Sequence, residues 1–224
     1  VTDRFAGPAE DMQSQPGGTG LPAHTRAAAL ERALQAEDAS ERLQAALAAG
    51  THPHDAYLEP LVERCAVEPD FYVRDMLTWA LTRLPHEPVL DRLLVEVDAS
   101  RPQARGQALH TLSKLGDARA WPAIRASHLH DADVEAARAA WRTAAGLAPF
   151  DAHPDLAREL ALELGRGDIE VMRSLSRALV ELGDAAEAAV RAADDGSGSP
   201  RARHARATLR LIEDPEASFT LDGA

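Results

Sequence analysis

The chain is poor in the residues from which chemical sites are usually built. Its 224 residues include one cysteine, Cys65, no asparagine, and one lysine, Lys114; all other basic residues are arginine. A lone thiol excludes a disulfide within the chain and argues against a zinc cluster. At an apolar helical position Cys65 reads as a small buried hydrophobe. No apolar run approaches the ~20 residues of a membrane-crossing helix, and no basic-then-apolar pattern opens the chain. The expectation is a cytoplasmic protein without a membrane partner. There is no nucleophile elbow, no HExxH and no pair of carboxylates set in apolar surroundings. Gly196-Ser197-Gly198-Ser199 lacks the Lys-Ser/Thr of a phosphate loop and reads as a flexible turn. Neither a cofactor nor a metal is expected, and the expectation is of a protein that is not an enzyme. A formal net charge of −12 lacks the cationic surplus that phosphate neutralisation requires, which argues against general nucleic-acid binding.

What the chain does have is periodicity. Hydrophobic residues make up 45% of it and aromatics only 4%, with alanine abundant, and no useful period-two stretch appears. Apolar or small residues at steps 0, +4, +7, +8 and +11 recur from Ala39, Val73, Ala104, Ala137, Val171 and, in degenerate form, Arg201, at intervals of 30 to 34 residues. The clearest copies are Val73, Leu77, Ala80, Leu81, Leu84 and Val171, Leu175, Ala178, Leu179, Leu182. Each copy marks the second helix (B) of a hairpin. First helices (A) are predicted near 25–36, 55–66, 87–97, 118–128, 154–164 and 185–193, set off by turns such as Leu115-Gly116-Asp117 and Gly165-Arg166-Gly167-Asp168. Leu-Gly-Asp-Ala occurs at 115–118 and again at 182–185, each time between a B helix and the next A helix. A period of this length predicts stacked helical hairpins. Residues 1–21, rich in glycine and proline, are expected to be a disordered leader. The array would occupy 22–214, with a tail from Pro215.

The pattern resembles HEAT repeats over about 25–213. Pro60, Pro88, Pro122 and Pro154 match that family's helix A proline, and Asp70 and Asp168 its turn aspartate. Val73-Arg74 matches the pair that opens helix B; Ala104-Arg105 and Ala137-Arg138 keep its arginine, which Ser40, Met172 and Ala202 replace in the other repeats. The chain is also similar to the HEAT-like segment of some MerR-type bacterial regulators, although no winged helix is recognisable. The resemblance implies an all-α, right-handed α-solenoid of about six hairpins. It also implies that Arg74, Arg105 and Arg138 form a structural ladder with turn aspartates of neighbouring repeats.

The face of each B helix opposite its apolar stripe carries the candidate binding residues. Trp79, His110, Arg142, Arg173, Arg177, Arg203, Arg206 and Arg210 fall there, and in the last three repeats the positions read hold six arginines and no acid. B helices usually line the concave side of a HEAT array, so this strip suits a protein or acidic peptide. The competing reading is an ordinary solvated face. Trp79 reads two ways, as an interface anchor or as packing against the next repeat. Trp141 reads as core and Trp121 as a filler between repeats. The pairs His52/His54 and His128/His130 read as surface turn residues. The function expected is a non-enzymatic scaffold or adaptor of undetermined oligomeric state. Two other classes stay open: a HEAT-like enzyme such as an alkylpurine DNA glycosylase or bilin lyase, and the sensor module of a transcriptional regulator.

Overall fold

The structure is a computed structural model, and residues 22–221 are described. The expected leader at 1–21 and the last three residues of the expected tail lie outside them. Among the described residues there are twelve α-helices and no strand: α1 (Ala23–Leu34), α2 (Ala39–Thr51), α3 (Leu58–Cys65), α4 (Phe71–Arg83), α5 (His86–Glu96), α6 (Pro102–Leu115), α7 (Ala126–Leu129), α8 (Val134–Leu147), α9 (His153–Ala161), α10 (Ile169–Glu181), α11 (Asp184–Ala193) and α12 (Pro200–Glu213). The even-numbered helices are the six B helices. They pack in series, α2 on α4, α4 on α6, and so on to α12, and each odd-numbered helix packs beside its own B helix.

The stripes explain this order. All five residues of the Val73 and Val171 copies are buried, and Trp141 is fully enclosed. Burying a leucine contributes roughly 1.5–3 kcal/mol, so every hairpin gains by covering its neighbour. Alanines along the B helices let their backbones approach closely. Thr143 Oγ1 donates to Leu109 O of the preceding B helix at 2.9 Å.

Local signals place the helix starts. Asp38, Asp70, Asp133 and Asp168 cap α2, α4, α8 and α10, each side chain accepting from backbone N–H groups of the first turn. Such a cap is worth about 1 kcal/mol. Pro60, Pro88 and Pro154 stand in the first turns of α3, α5 and α9, where the missing N–H costs nothing. Pro122 differs. The helix predicted at 118–128 is instead a 3₁₀ segment, Ala118–Ala123, two extended residues, Ile124 and Arg125, and the single turn α7. Proline five residues into the run removes an amide donor and crowds the preceding turn, so the α ladder cannot pass it.

Two histidines read as surface residues are held by partners, His128 buried and His130 half-buried. His128 is 4% exposed, its Nδ1 accepting from Arg125 N–H and its Nε2 lying 3.1 Å from Asp98 Oδ1. His130 lies between Glu163 (2.6 Å) and Glu159 (2.9 Å), and these two acceptors raise its pKa. Cys65 is buried, and burial pushes its thiol up to about 12.

A candidate peptide-docking furrow

The expected arginine ladder is shifted in register. Arg42, Arg74 and Arg105 each stand four residues beyond a helix N-cap, at Asp38, Asp70 and Arg101. From that place each sends Nη1 to the carbonyls five and six residues earlier: Arg42 to Glu37 and Ala36, Arg74 to Pro69 and Glu68, Arg105 to Ser100 and Ala99. Two of the three also grip an acid of the next repeat. Arg105 holds Asp131 with two bonds of 2.7 and 2.9 Å, and Arg42 holds Glu68 with two of 2.8 Å. The first repeat's rung is therefore Arg42, not position 40. Counting from the capping aspartate rather than from the apolar stripe would have found it. Arg138 does not make this rung. It sits one residue further along its helix, about 100° round, and pairs with Glu135 of its own first turn at 2.9 Å. Arg166, from the following turn, donates to the Asp131 and Ala132 carbonyls instead.

The eight candidate strip residues also separate into groups. Trp79 lies against α2: a Cβ on Gly50 would come within 2.2 Å of its ring. The indole is thus packed onto the preceding repeat, with 37% of the residue exposed. Arg206 is turned to Asp194 (2.7 Å) and to Ser197 O, Arg203 is half-buried on α12, and Arg210 donates to Thr220 O at 2.5 Å. Positions between these on the B helices, such as Thr78, Thr143 and Ser176, are buried between neighbouring B helices. The strip is therefore narrower than the helical projection suggests.

Arg142, Arg173 and Arg177 do come together. With Arg138 they line a furrow of about 330 Å³ between α8 and α10. The furrow is not free of acid: Glu170 and Glu181 line it too, and Glu170 takes the Nη1 of Arg173 at 2.6 Å. Two cations in it have no carboxylate. Among the described residues Arg177 makes no hydrogen bond and no ion pair. Arg142 directs Nη1 to His110 Nδ1 at 3.2 Å. His110 can accept because burial and the charge of Arg142 hold its pKa down, keeping the ring neutral. The pKa of Arg142 is itself lowered, first by burial and then by repulsion from Arg138. Arg177 adds to that repulsion. Like charges confined beside each other strengthen the demand for an anion.

The furrow continues in both directions. Arg142 also lines a concavity of about 530 Å³ with His110, Arg74, Asp75 and Phe71. Arg173 and Arg177 also line a third, of about 290 Å³, closed by Leu211, Pro215, Ala217 and Phe219. Apart from Leu211 of α12, this last wall comes from the segment after that helix, which sequence reasoning treated only as a tail. No cluster of metal-ligating side chains occurs among the described residues, and none of their helices is long and apolar enough to cross a membrane.

A series of helical hairpins sharing one seam, with a polar furrow along its B helices, defines an all-α solenoid of the HEAT-like kind. Solved structures agree on the fold. The karyopherin Kap121p bound to Nup53p is similar over 87% of this chain, at 18% identity and a TM-score of 0.60. Kap121p bound to the extreme C-terminus of the protein phosphatase Cdc14p is similar over 85%, at 18% identity and 0.59. This chain spans about a quarter of the length of those karyopherins. The complex of CpcE and CpcF of phycocyanin lyase from Nostoc sp. PCC7120 matches over 97% of this chain and 95% of its own, at 19% identity, but its TM-score of 0.39 is too low to establish a shared fold. No family model and no curated protein matches the chain.

Proposed function

We propose that the protein is a non-enzymatic interaction module that docks an acidic peptide segment of a protein partner in the furrow between α8 and α10. The observation that carries this reading is the pair Arg142 and Arg177: two arginines in a ready-made groove, neither bonded to a carboxylate, with burial and then the charges of Arg138 and Arg177 lowering the pKa of Arg142. A guanidinium presents a planar fork that takes a carboxylate through two bonds, and an acidic chain laid in the groove would relieve the repulsion. The net charge of −12 restricts this surface to a local contact and disfavours a long polyanion. Kap121p, a solenoid of like fold, is seen bound to Nup53p and to Ste12p; fold alone does not carry function across, so the argument rests on the furrow.

The test is fluorescence anisotropy of a fluorescein-labelled hexaglutamate peptide. Binding should weaken as salt rises. Arg142→Glu with Arg177→Glu should reduce it by at least about tenfold, since each charge-assisted bond lost is worth ~1.5–3 kcal/mol. The circular dichroism spectrum should not change. Undiminished binding by a folded double variant refutes the proposal.

A further inference from the structure

The segment after α12 packs onto the furrow's far end. Asp214 turns the chain, its carboxylate accepting from Glu216 N–H at 3.1 Å and its carbonyl from Ala217 N–H at 3.0 Å. Phe219 then sits between the repeats. Its ring meets the buried His204 edge-on, 5.8 Å between centroids, and the Arg173 guanidinium carbon lies 5.9 Å from its centroid. Arg210 holds the next carbonyl, that of Thr220. An aromatic side chain under one arginine and a main-chain oxygen under another is how an extended peptide is gripped. The segment has the matching composition as well: 213–221 carries Glu213, Asp214 and Glu216 and no base.

Resting on the furrow as a docking groove, we propose that residues 214–221 are a built-in occupant of its continuation between α10 and α12. They close the α10–α12 end, and the partner that displaces them is an acidic segment bearing an aromatic residue. Arg173 is the shared element. It faces the α8–α10 furrow on one side and Phe219 on the other, so a ligand that claims it fully must compete with the ring. Arg142 and Arg177 supply charge attraction to any acidic chain, and the Phe219 seat adds selectivity for an aromatic.

The test uses the full chain and three labelled peptides: a copy of residues 213–221, the same peptide with alanine in place of its phenylalanine, and hexaglutamate. Phe219→Ala should empty the seat and tighten binding of the copy peptide by about tenfold, the range of a desolvated cation–π contact with its apolar burial. Phe219→Gly, which also loosens the segment, should do at least as much. The alanine peptide should gain nothing from either variant. Thermal melts confirm that both variants fold; His204, beneath the ring, is the point to watch. Equal affinity of wild type and both variants for the copy peptide overturns the inference. If hexaglutamate then still binds in an Arg142- and Arg177-dependent way, the docking reading survives; if no peptide binds, both fall.

Discussion

Replacing Arg42 should loosen the first repeat, and the size of the loss follows from what it leaves behind. Glu68 is fully enclosed, and its oxygens receive two bonds from Arg42, one from Arg64 Nε at 2.7 Å and one from Asp70 N–H at 2.9 Å. Burial alone would raise its pKa; Arg42, the Asp70 amide and Arg64 outweigh that and hold it at about 2. Arg42→Leu strands the carboxylate with only Arg64 and one amide. Breaking a buried pair in this way costs about 3–5 kcal/mol, and the surviving Arg64 places this case near the lower figure. For a fold of this size ~1 kcal/mol moves Tm by about 2–4 °C, so a fall near 10 °C is expected. Because each hairpin touches only its neighbours, amide exchange should quicken first in α1–α3. Arg42→Leu with Glu68→Leu should recover most of the loss, since the buried charge leaves with its partner. A lowered carboxyl pKa stabilises the fold above the unfolded value and ceases to do so as pH falls towards the folded one. Here the contribution is present above pH 4.5 and lost towards pH 2, about 3 kcal/mol in all. Chemical denaturation across that range, with Glu68→Gln as the control, reads it. A Tm for Arg42→Leu within 2 °C of wild type, or a double variant no better than the single, refutes the reasoning.

Gly50→Ala places a methyl 2.2 Å from the Trp79 ring, so the indole must leave its seat on α2. The expected loss is about 1–3 kcal/mol with a red shift in tryptophan emission, and an unshifted spectrum refutes it. His204 should set a second, separate pH window. Burial holds its pKa down at about 4, while Gly165 N–H donates to Nδ1 (2.9 Å) and Nε2–H donates to Met172 O (3.0 Å). A depressed histidine is protonated first in the unfolded chain, so stability is complete above pH 6.5 and falls between 6.5 and about 4, by roughly 3 kcal/mol. Titration by NMR should show this imidazole neutral at pH 5, and a pKa above 6 would contradict the burial.

Most of the architecture was legible because it depends on local signals. Stripes at helical spacing, capping aspartates and prolines that fit only a first turn specify where each hairpin begins, whatever surrounds it. The exception, 118–128, has the same physics: the apolar pattern continues through Pro122, but the hydrogen-bond ladder cannot. The furrow was legible only in part. Arg142, Arg173 and Arg177 were found because their side of each B helix follows from helical geometry. Arg42 was missed because the count began at the apolar stripe instead of the cap, and Arg138 was misplaced by one residue. The Phe219 seat had no signal at all, since an aromatic in a short acidic tail looks the same docked or solvated.

The amino-acid sequence on its own therefore specified the number of hairpins, their spacing and the face that each B helix turns from the core, since these rest on contacts within a few residues of one another. Tertiary structure alone decided which arginines are spent on carboxylates and carbonyls and which stay free. Those partners lie up to 35 residues away or in the closing segment, and a single step of helical rotation is enough to exchange one for another.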